Sequence, residues 1–119
     1  MPIKLFDSEL RVMAVLWREG DTSAKQIAKT LDTQIGWSKT TTYTIIKRCI
    51  DKGAIARLEP GFVCQALITV EEAREYETTE LINKMYSGAA DQLVLSLLSS
   101  KTLSDDEIAR LKRIVSELE

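Results

Sequence analysis

The chain has 119 residues, a formal net charge of −2 and 29% charged side chains, as expected for one small globular domain or a domain with an appendage. It contains no histidine, so the commonest general base and most zinc and nucleophile–histidine systems are missing. Its five glycines do not group into a phosphate-binding loop. We therefore expect no enzyme, no metal site and no cofactor.

The expected compartment follows from three sequence features. No apolar run is long enough to span a membrane, and the first residues lack the apolar run and cleavage site of a signal peptide. The two cysteines, Cys49 and Cys64, are too few for a secreted disulfide framework. We expect a cytoplasmic protein without membrane insertion, in which both cysteines are buried as small apolar residues. Redox sensing through them is the alternative.

The charge is divided unevenly along the chain. Residues 1–68 carry ten basic and seven acidic residues, a net charge of +3, whereas residues 69–119 carry six and eleven, a net charge of −5. Because salt screens charges beyond about 8–10 Å, binding to a polyanion depends on local charge rather than on the total. This division predicts a basic nucleic-acid-binding module followed by an acidic module with another task.

Two short helices are predicted before residue 36. Asp7 can cap the first, and its inward stripe comprises Leu10, Met13, Leu16 and Trp17. The second helix follows a run of capping residues and has apolar side chains at helical spacing. At its start we expect backbone N–H groups to bind a phosphate, at Thr22, Ser23 and Ala24.

The third predicted helix, capped by Ser38 and ended by Gly53, has two different faces. At about 100° per residue, one face is apolar and can pack onto a core: it comprises Thr42, Ile45, Ile46 and Cys49. The other face carries hydroxyls, a phenol and cations, which suit base edges and phosphates in a major groove. The residues predicted to contact base edges or the groove are Lys39, Thr40, Tyr43, Thr44 and Lys47, and those predicted to contact phosphates are Ser38, Thr41 and Arg48. The alternative is a plain amphipathic surface helix. β-Branched threonines have low helix propensity, which argues against that alternative.

Two strands are predicted next, over 54–58 and 62–68, around a Pro-Gly turn in which Gly61 supplies the positive φ of a type II turn. Three short helices followed by a hairpin are the layout of a winged helix-turn-helix, with the hairpin as the wing. We assign phosphate contacts to Arg57 and Gly61 in this wing. Trp37 either closes the core or lies near the DNA backbone.

Residues 70–119 are predicted to form three helices, two of which begin with capping boxes. Their apolar faces are too large to be buried within one chain of this length, so a two-fold dimer is expected, with folding back on the first domain as the alternative. The predicted interface comprises Tyr76, Leu81, Met85, Leu93, Val94, Leu97, Leu98, Ile108, Leu111 and Val115. The expected fold is mainly α with a small β-hairpin, divided into a winged-helix DNA-binding domain (1–69) and a helical dimerisation domain (70–119).

Residues 6–17 resemble the opening helix of the penicillinase-repressor family, which contains β-lactamase, methicillin-resistance and copper-responsive repressors. Residues 37–53 match the recognition helix of that family without a gap, and residues 93–98 and 103–108 resemble its C-terminal helices. The resemblance implies a homodimeric winged-helix repressor that binds an inverted-repeat operator in double-stranded DNA and blocks transcription.

Two departures limit what the resemblance transfers. In the antibiotic-resistance members, a membrane-sensor pathway ends repression by cleaving an Asn-Phe bond in the dimerisation region. That bond falls on Ser96–Leu97 here, so proteolytic release stays open. The C-terminal cysteine cluster of the copper-responsive members is missing, so a copper response is not expected. The competing interpretation is a winged-helix protein-interaction module without specific DNA binding.

Overall fold

A computed structural model describes residues 3–118. Over this range the chain forms six α-helices and three short β-strands. In chain order they are α1 (Asp7–Glu19), β1 (Thr22–Ser23), α2 (Ala24–Ile35), α3 (Lys39–Asp51), β2 (Ile55–Leu58), β3 (Val63–Ala66), α4 (Val70–Tyr86), α5 (Ala90–Ser99) and α6 (Asp105–Glu117). The predicted fold class, mainly α with a hairpin after the third helix, is confirmed.

Short-range signals in the sequence position the first three helices. The hydroxyl of Ser23 caps α2 by accepting a hydrogen bond from the Gln26 N–H, and Ser38 caps α3 through the Thr41 N–H. Helix α1 differs from the prediction, because it begins at Asp7 rather than being capped by it. The N–H of Phe6 before this helix donates to the Glu9 carboxylate at 2.7 Å.

The first compact unit ends at Glu77 and the second begins at Thr78. The core of the first unit is formed by one face of each of α1, α2 and α3 together with the hairpin. Both Trp17 and Trp37 pack against this core, and the Trp17 indole N–H donates to the Ile68 carbonyl at 3.0 Å. The contacts divide the chain inside α4, beyond the predicted boundary at 69/70, because Ala73 is buried in the core of the first unit.

The sheet contains one strand more than the predicted hairpin. Its antiparallel order is β1-β3-β2, with Ser23 and Leu58 on either side of Val63. Strand β1 was expected to be a capping segment only, since two residues carry no periodic signal and their partners lie about forty residues later. In the turn, Gly61 has the predicted positive φ of 94°, and Phe62 follows with a φ of 48°.

The second unit exposes much of its apolar surface. Both predicted capping boxes are present: Thr69 with Glu72 lies at the start of α4, in the first unit, and Ser104 with Glu107 lies at the start of α6, in the second. None of the described residues of α5 or α6 is buried. Large apolar side chains that are at least 39% exposed are Leu81, Met85, Val94, Leu95, Leu98, Leu111, Ile114, Val115 and Leu118. Within residues 3–118, no helix has the length and apolar character needed to cross a membrane.

Candidate nucleic-acid interface

Helix α3 has the two faces that the sequence predicts. Its core-facing side chains are all buried, and they are Thr42, Ile45, Ile46 and Cys49. On the opposite side Lys39, Thr40, Thr44 and Lys47 are exposed, whereas Tyr43 is half-buried. The capping serine and the buried stripe together fix the rotation of this helix. The side chains of Lys39, Thr40, Thr44 and Lys47 therefore lie on the side away from the core.

An open groove of about 700 Å³ lies between α3 and the hairpin. It is lined by Lys39, Thr40, Tyr43, Thr44, Lys47, Ile50, Asp51, Arg57 and Phe62. All five side chains predicted to contact base edges lie on it, together with the predicted wing arginine. The groove thus combines three cations with one carboxylate, and the sequence prediction did not include its apolar members Ile50 and Phe62.

The hydroxyls of α3 are partly engaged within the helix. Ser38 Oγ donates to Thr41 Oγ1 at 3.0 Å and also accepts from the Thr41 N–H, so the hydrogen free to point outwards is that of Thr41. Thr44 Oγ1 donates to the Thr40 carbonyl at 2.9 Å. Thr44 can therefore offer its methyl group and a lone pair to a base edge, whereas the Thr41 hydroxyl can donate to a phosphate.

Two carboxylates sit beside cations of this surface. Lys47 Nζ lies 3.6 Å from Asp51 Oδ2, one helical turn along α3, and both side chains are mostly exposed. Arg57 Nε donates to Glu59 Oε1. That hydrogen bond, with a second from the Phe62 N–H, lowers the pKa of Glu59. Exposed pairs of this kind are weak, so a phosphate can displace the carboxylate from either cation.

The start of α2 corrects one predicted contact. The Ala24 N–H donates to the Phe62 carbonyl at 2.9 Å, and Ala24 is buried, so this group has no hydrogen left for a phosphate. Thr22 Oγ1 donates to the Gly20 carbonyl at 2.7 Å. Ser23 Oγ acts only as an acceptor in its capping bond, so its own hydrogen can still donate outwards. A phosphate contact at this end is therefore better assigned to Ser23 than to Ala24.

An ion pair with the buried Glu9 carboxylate occupies the lysine that follows α3, Lys52. Lys52 Nζ donates to Glu9 Oε1 at 2.6 Å and to the Lys4 carbonyl at 2.8 Å, and it lies 4.1 Å from the centre of the Phe6 ring. Glu9 is fully buried, and none of the residues that the structure describes donates a hydrogen bond to its Oε2. Neither Glu9 nor its pairing with a lysine was predicted from the sequence. The signal was available, because Glu9 lies four residues before the buried Met13.

The two cysteines are buried, as expected from the sequence. Burial raises the pKa of Cys49 to about 12, with a further contribution from the Glu9 carboxylate. Burial likewise raises the pKa of Cys64 to about 11. Both thiols therefore stay protonated at neutral pH, which makes them poor nucleophiles and poor metal ligands.

Three short helices, an exposed polar face on the third and a hairpin beside it define a winged helix-turn-helix protein. The sequence profile of the family described as Penicillinase repressor matches residues 5–117, and the chain belongs to this family. It is 34% identical to the methicillin resistance regulatory protein MecI of Mammaliicoccus sciuri, over 96% of this chain and 94% of that protein. It is 31% identical to the penicillinase repressor of Bacillus licheniformis, over 96% of this chain and 91% of that protein.

A solved structure also resembles this fold. The monomeric form of Bacillus licheniformis BlaI, in complex with the blaP half-operator, superposes with a TM-score of 0.52 at 28% identity. The match covers 60% of this chain and 90% of that chain.

Proposed function

We propose that this protein is a transcriptional repressor that binds an inverted-repeat operator in double-stranded DNA as a homodimer. The observation that carries the proposal is the groove beside α3, where three cations, two threonine hydroxyls and a phenol share one open surface. Such groups recognise base edges and phosphates in a major groove. Membership of a repressor family and the likeness to BlaI bound to a half-operator support the same conclusion.

In this proposal α3 enters the major groove and the hairpin contacts the backbone. The side chains expected at base edges or in the groove are Lys39, Thr40, Tyr43, Thr44 and Lys47. The residues expected to contact phosphates are Ser23, Thr41, Arg48 and Arg57. Thr22, Ser38 and Gly61 are expected to lie next to these phosphate contacts. Cations set the affinity for any duplex, whereas hydroxyls and the phenol set the preference among sequences.

The exposed apolar side chains of the second unit support a homodimer. Soluble proteins rarely leave a large contiguous apolar surface uncovered, and a two-fold pair presents two recognition helices to the two halves of an inverted repeat. Of the ten predicted interface residues, six are exposed large apolar side chains: Leu81, Met85, Val94, Leu98, Leu111 and Val115. Sedimentation of the wild type and of a Val94→Asp variant tests this point, since we expect a dimer for the first and a monomer for the second.

The DNA-binding proposal is tested by selecting duplexes from a random pool with the wild-type protein. We then measure affinity for a selected duplex and for a scrambled one of the same composition. Tyr43→Ala and Thr40→Ala should reduce the ratio of the two affinities more than they reduce affinity for the scrambled duplex. Lys84→Ala, a change in the second unit, is the control and should leave the ratio unchanged. Failure of the wild type to bind any duplex at low salt would favour the protein-interaction module instead.

Release of the repressor by a membrane-sensor pathway is a further part of the proposal, and family membership supports it. The candidate bond between Ser96 and Leu97 lies inside α5. A protease needs extended substrate, so this helix must open locally before cleavage, and the absence of buried residues in α5 makes such opening easier.

The compartment we propose is the cytoplasm, because a bacterial-type repressor acts where the operator DNA is.

A further inference from the structure

Phe62 lies in the turn of the hairpin and contacts three separate elements of the first unit. Its carbonyl accepts the Ala24 N–H at the start of α2, and its own N–H donates to Glu59 Oε2 at 3.3 Å. Its φ of 48° is a conformation that bulky residues rarely adopt. Such a conformation persists only where surrounding contacts impose it, and it often marks a functional position.

The Phe62 ring joins the wing to the recognition helix. The guanidinium carbon of Arg57 lies 3.7 Å from the ring centre, which is a close cation–π contact. The Tyr43 ring meets it edge to face, with centroids 5.8 Å apart and planes at 84°. Lys39 Nζ lies 5.6 Å from the centre of the Tyr43 ring. A continuous series of cation, ring, ring and cation therefore crosses the groove.

The position of the Phe62 ring is not that of an ordinary core residue. The side chain is only half-buried, and it lines the open groove together with the side chains proposed to contact DNA. The two side chains that contact the Phe62 ring are both proposed to contact DNA. Arg57 is proposed to contact a phosphate, and Tyr43 a base edge. Restricting their rotamers before DNA arrives lowers the entropy lost on binding.

We propose that Phe62 is a positioning residue that couples the wing to the recognition helix, so that the Arg57 and Tyr43 contacts with DNA form together. This inference rests on the proposed DNA-binding function and deepens it. Without the ring, Arg57 and Tyr43 each still reach the duplex, but neither fixes the geometry of the other. Phe62 then contributes to sequence preference without touching a base.

The test is a double-mutant cycle in the full chain, with a duplex selected from a random pool as the probe. In the wild-type background, the effects of Arg57→Ala and Tyr43→Ala on affinity should be non-additive. The fold-loss of affinity in the double variant should be smaller, by about threefold or more, than the product of the two single fold-losses. In the Phe62→Leu background the two losses should multiply, because leucine keeps apolar volume but offers no ring face. Phe62→Tyr, which keeps the ring, should restore the non-additivity.

Additive losses in the wild-type background, or equal coupling in both backgrounds, would overturn the proposal. Arg57→Lys guards against a Phe62→Leu variant that fails to fold, since it keeps the charge and removes the planar group stacked on the ring. We expect Arg57→Lys to keep the salt dependence of binding. The energetic coupling between position 57 and Tyr43 should be lost in this variant, and unchanged coupling would contradict the proposal. Salt-dependent binding of the selected duplex by the wild type tests DNA binding separately, so the two failures are distinguishable.

Discussion

Replacing Lys52 with methionine removes the ammonium group that pairs with the buried Glu9 carboxylate. The substitution abolishes hydrogen bonds of 2.6 Å to Glu9 Oε1 and 2.8 Å to the Lys4 carbonyl. Among residues 3–118, the fully buried Glu9 carboxylate then keeps one hydrogen-bond donor, the Phe6 N–H. Breaking a buried ion pair on one side costs about 3–5 kcal/mol. Because Lys52 retains 29% exposure and water can reach its site, we expect a value near the lower limit, about 3 kcal/mol.

Urea unfolding followed by tryptophan fluorescence measures this loss, since both tryptophans pack against the core of the first unit. The midpoint should fall by roughly 1–3 M at equal protein concentration. Lys47→Met is the matched control, because its partner Asp51 is exposed, and it should cost less than about 0.5 kcal/mol. Glu9→Gln added to Lys52→Met should recover part of the loss by removing the unpaired charge. A Lys52→Met variant within about 1 kcal/mol of wild type would refute the reasoning.

The other predictions concern the interface and the thiols. Lys47→Ala should weaken binding to all duplexes and reduce the salt slope by about one; Lys84→Ala is its charge-matched control, and an unchanged slope would remove Lys47 from the interface. Glu59→Gln should raise affinity for duplexes of any sequence severalfold, because it removes a charge that competes with phosphate for Arg57; a lower affinity would contradict this. The pKa of Cys49 is raised from 9.0 to about 12, so the unfolded state releases the thiol proton first and stability should fall as pH rises above 9. The free energy of unfolding should fall by up to about 1.4 kcal/mol per pH unit because of this thiol. Urea unfolding of Cys49→Ala should show a shallower decline with pH than the wild type, and equal declines in the two proteins would contradict the prediction.

Features carried by neighbouring residues could be predicted from the sequence. The two faces of α3 follow from the 100° rotation per residue, so the lysine, threonine and tyrosine side chains that α3 contributes to the groove were recognisable before the fold was known. The caps at Ser38 and Ser104 are equally local, because donor and acceptor lie three residues apart. The positive φ at Gly61 follows from glycine having no Cβ.

Features that join distant segments depended on the tertiary structure. Glu9 and Lys52 are separated by 43 residues, and in sequence each could belong to an ordinary solvated helix face. Phe62 was predicted to begin a strand, yet its carbonyl accepts the Ala24 N–H and its ring lies between Arg57 and Tyr43. Periodicity describes one element at a time. It therefore assigned the exposed face of α3, but only packing decided which polar groups were already bonded to each other and which were free for a partner.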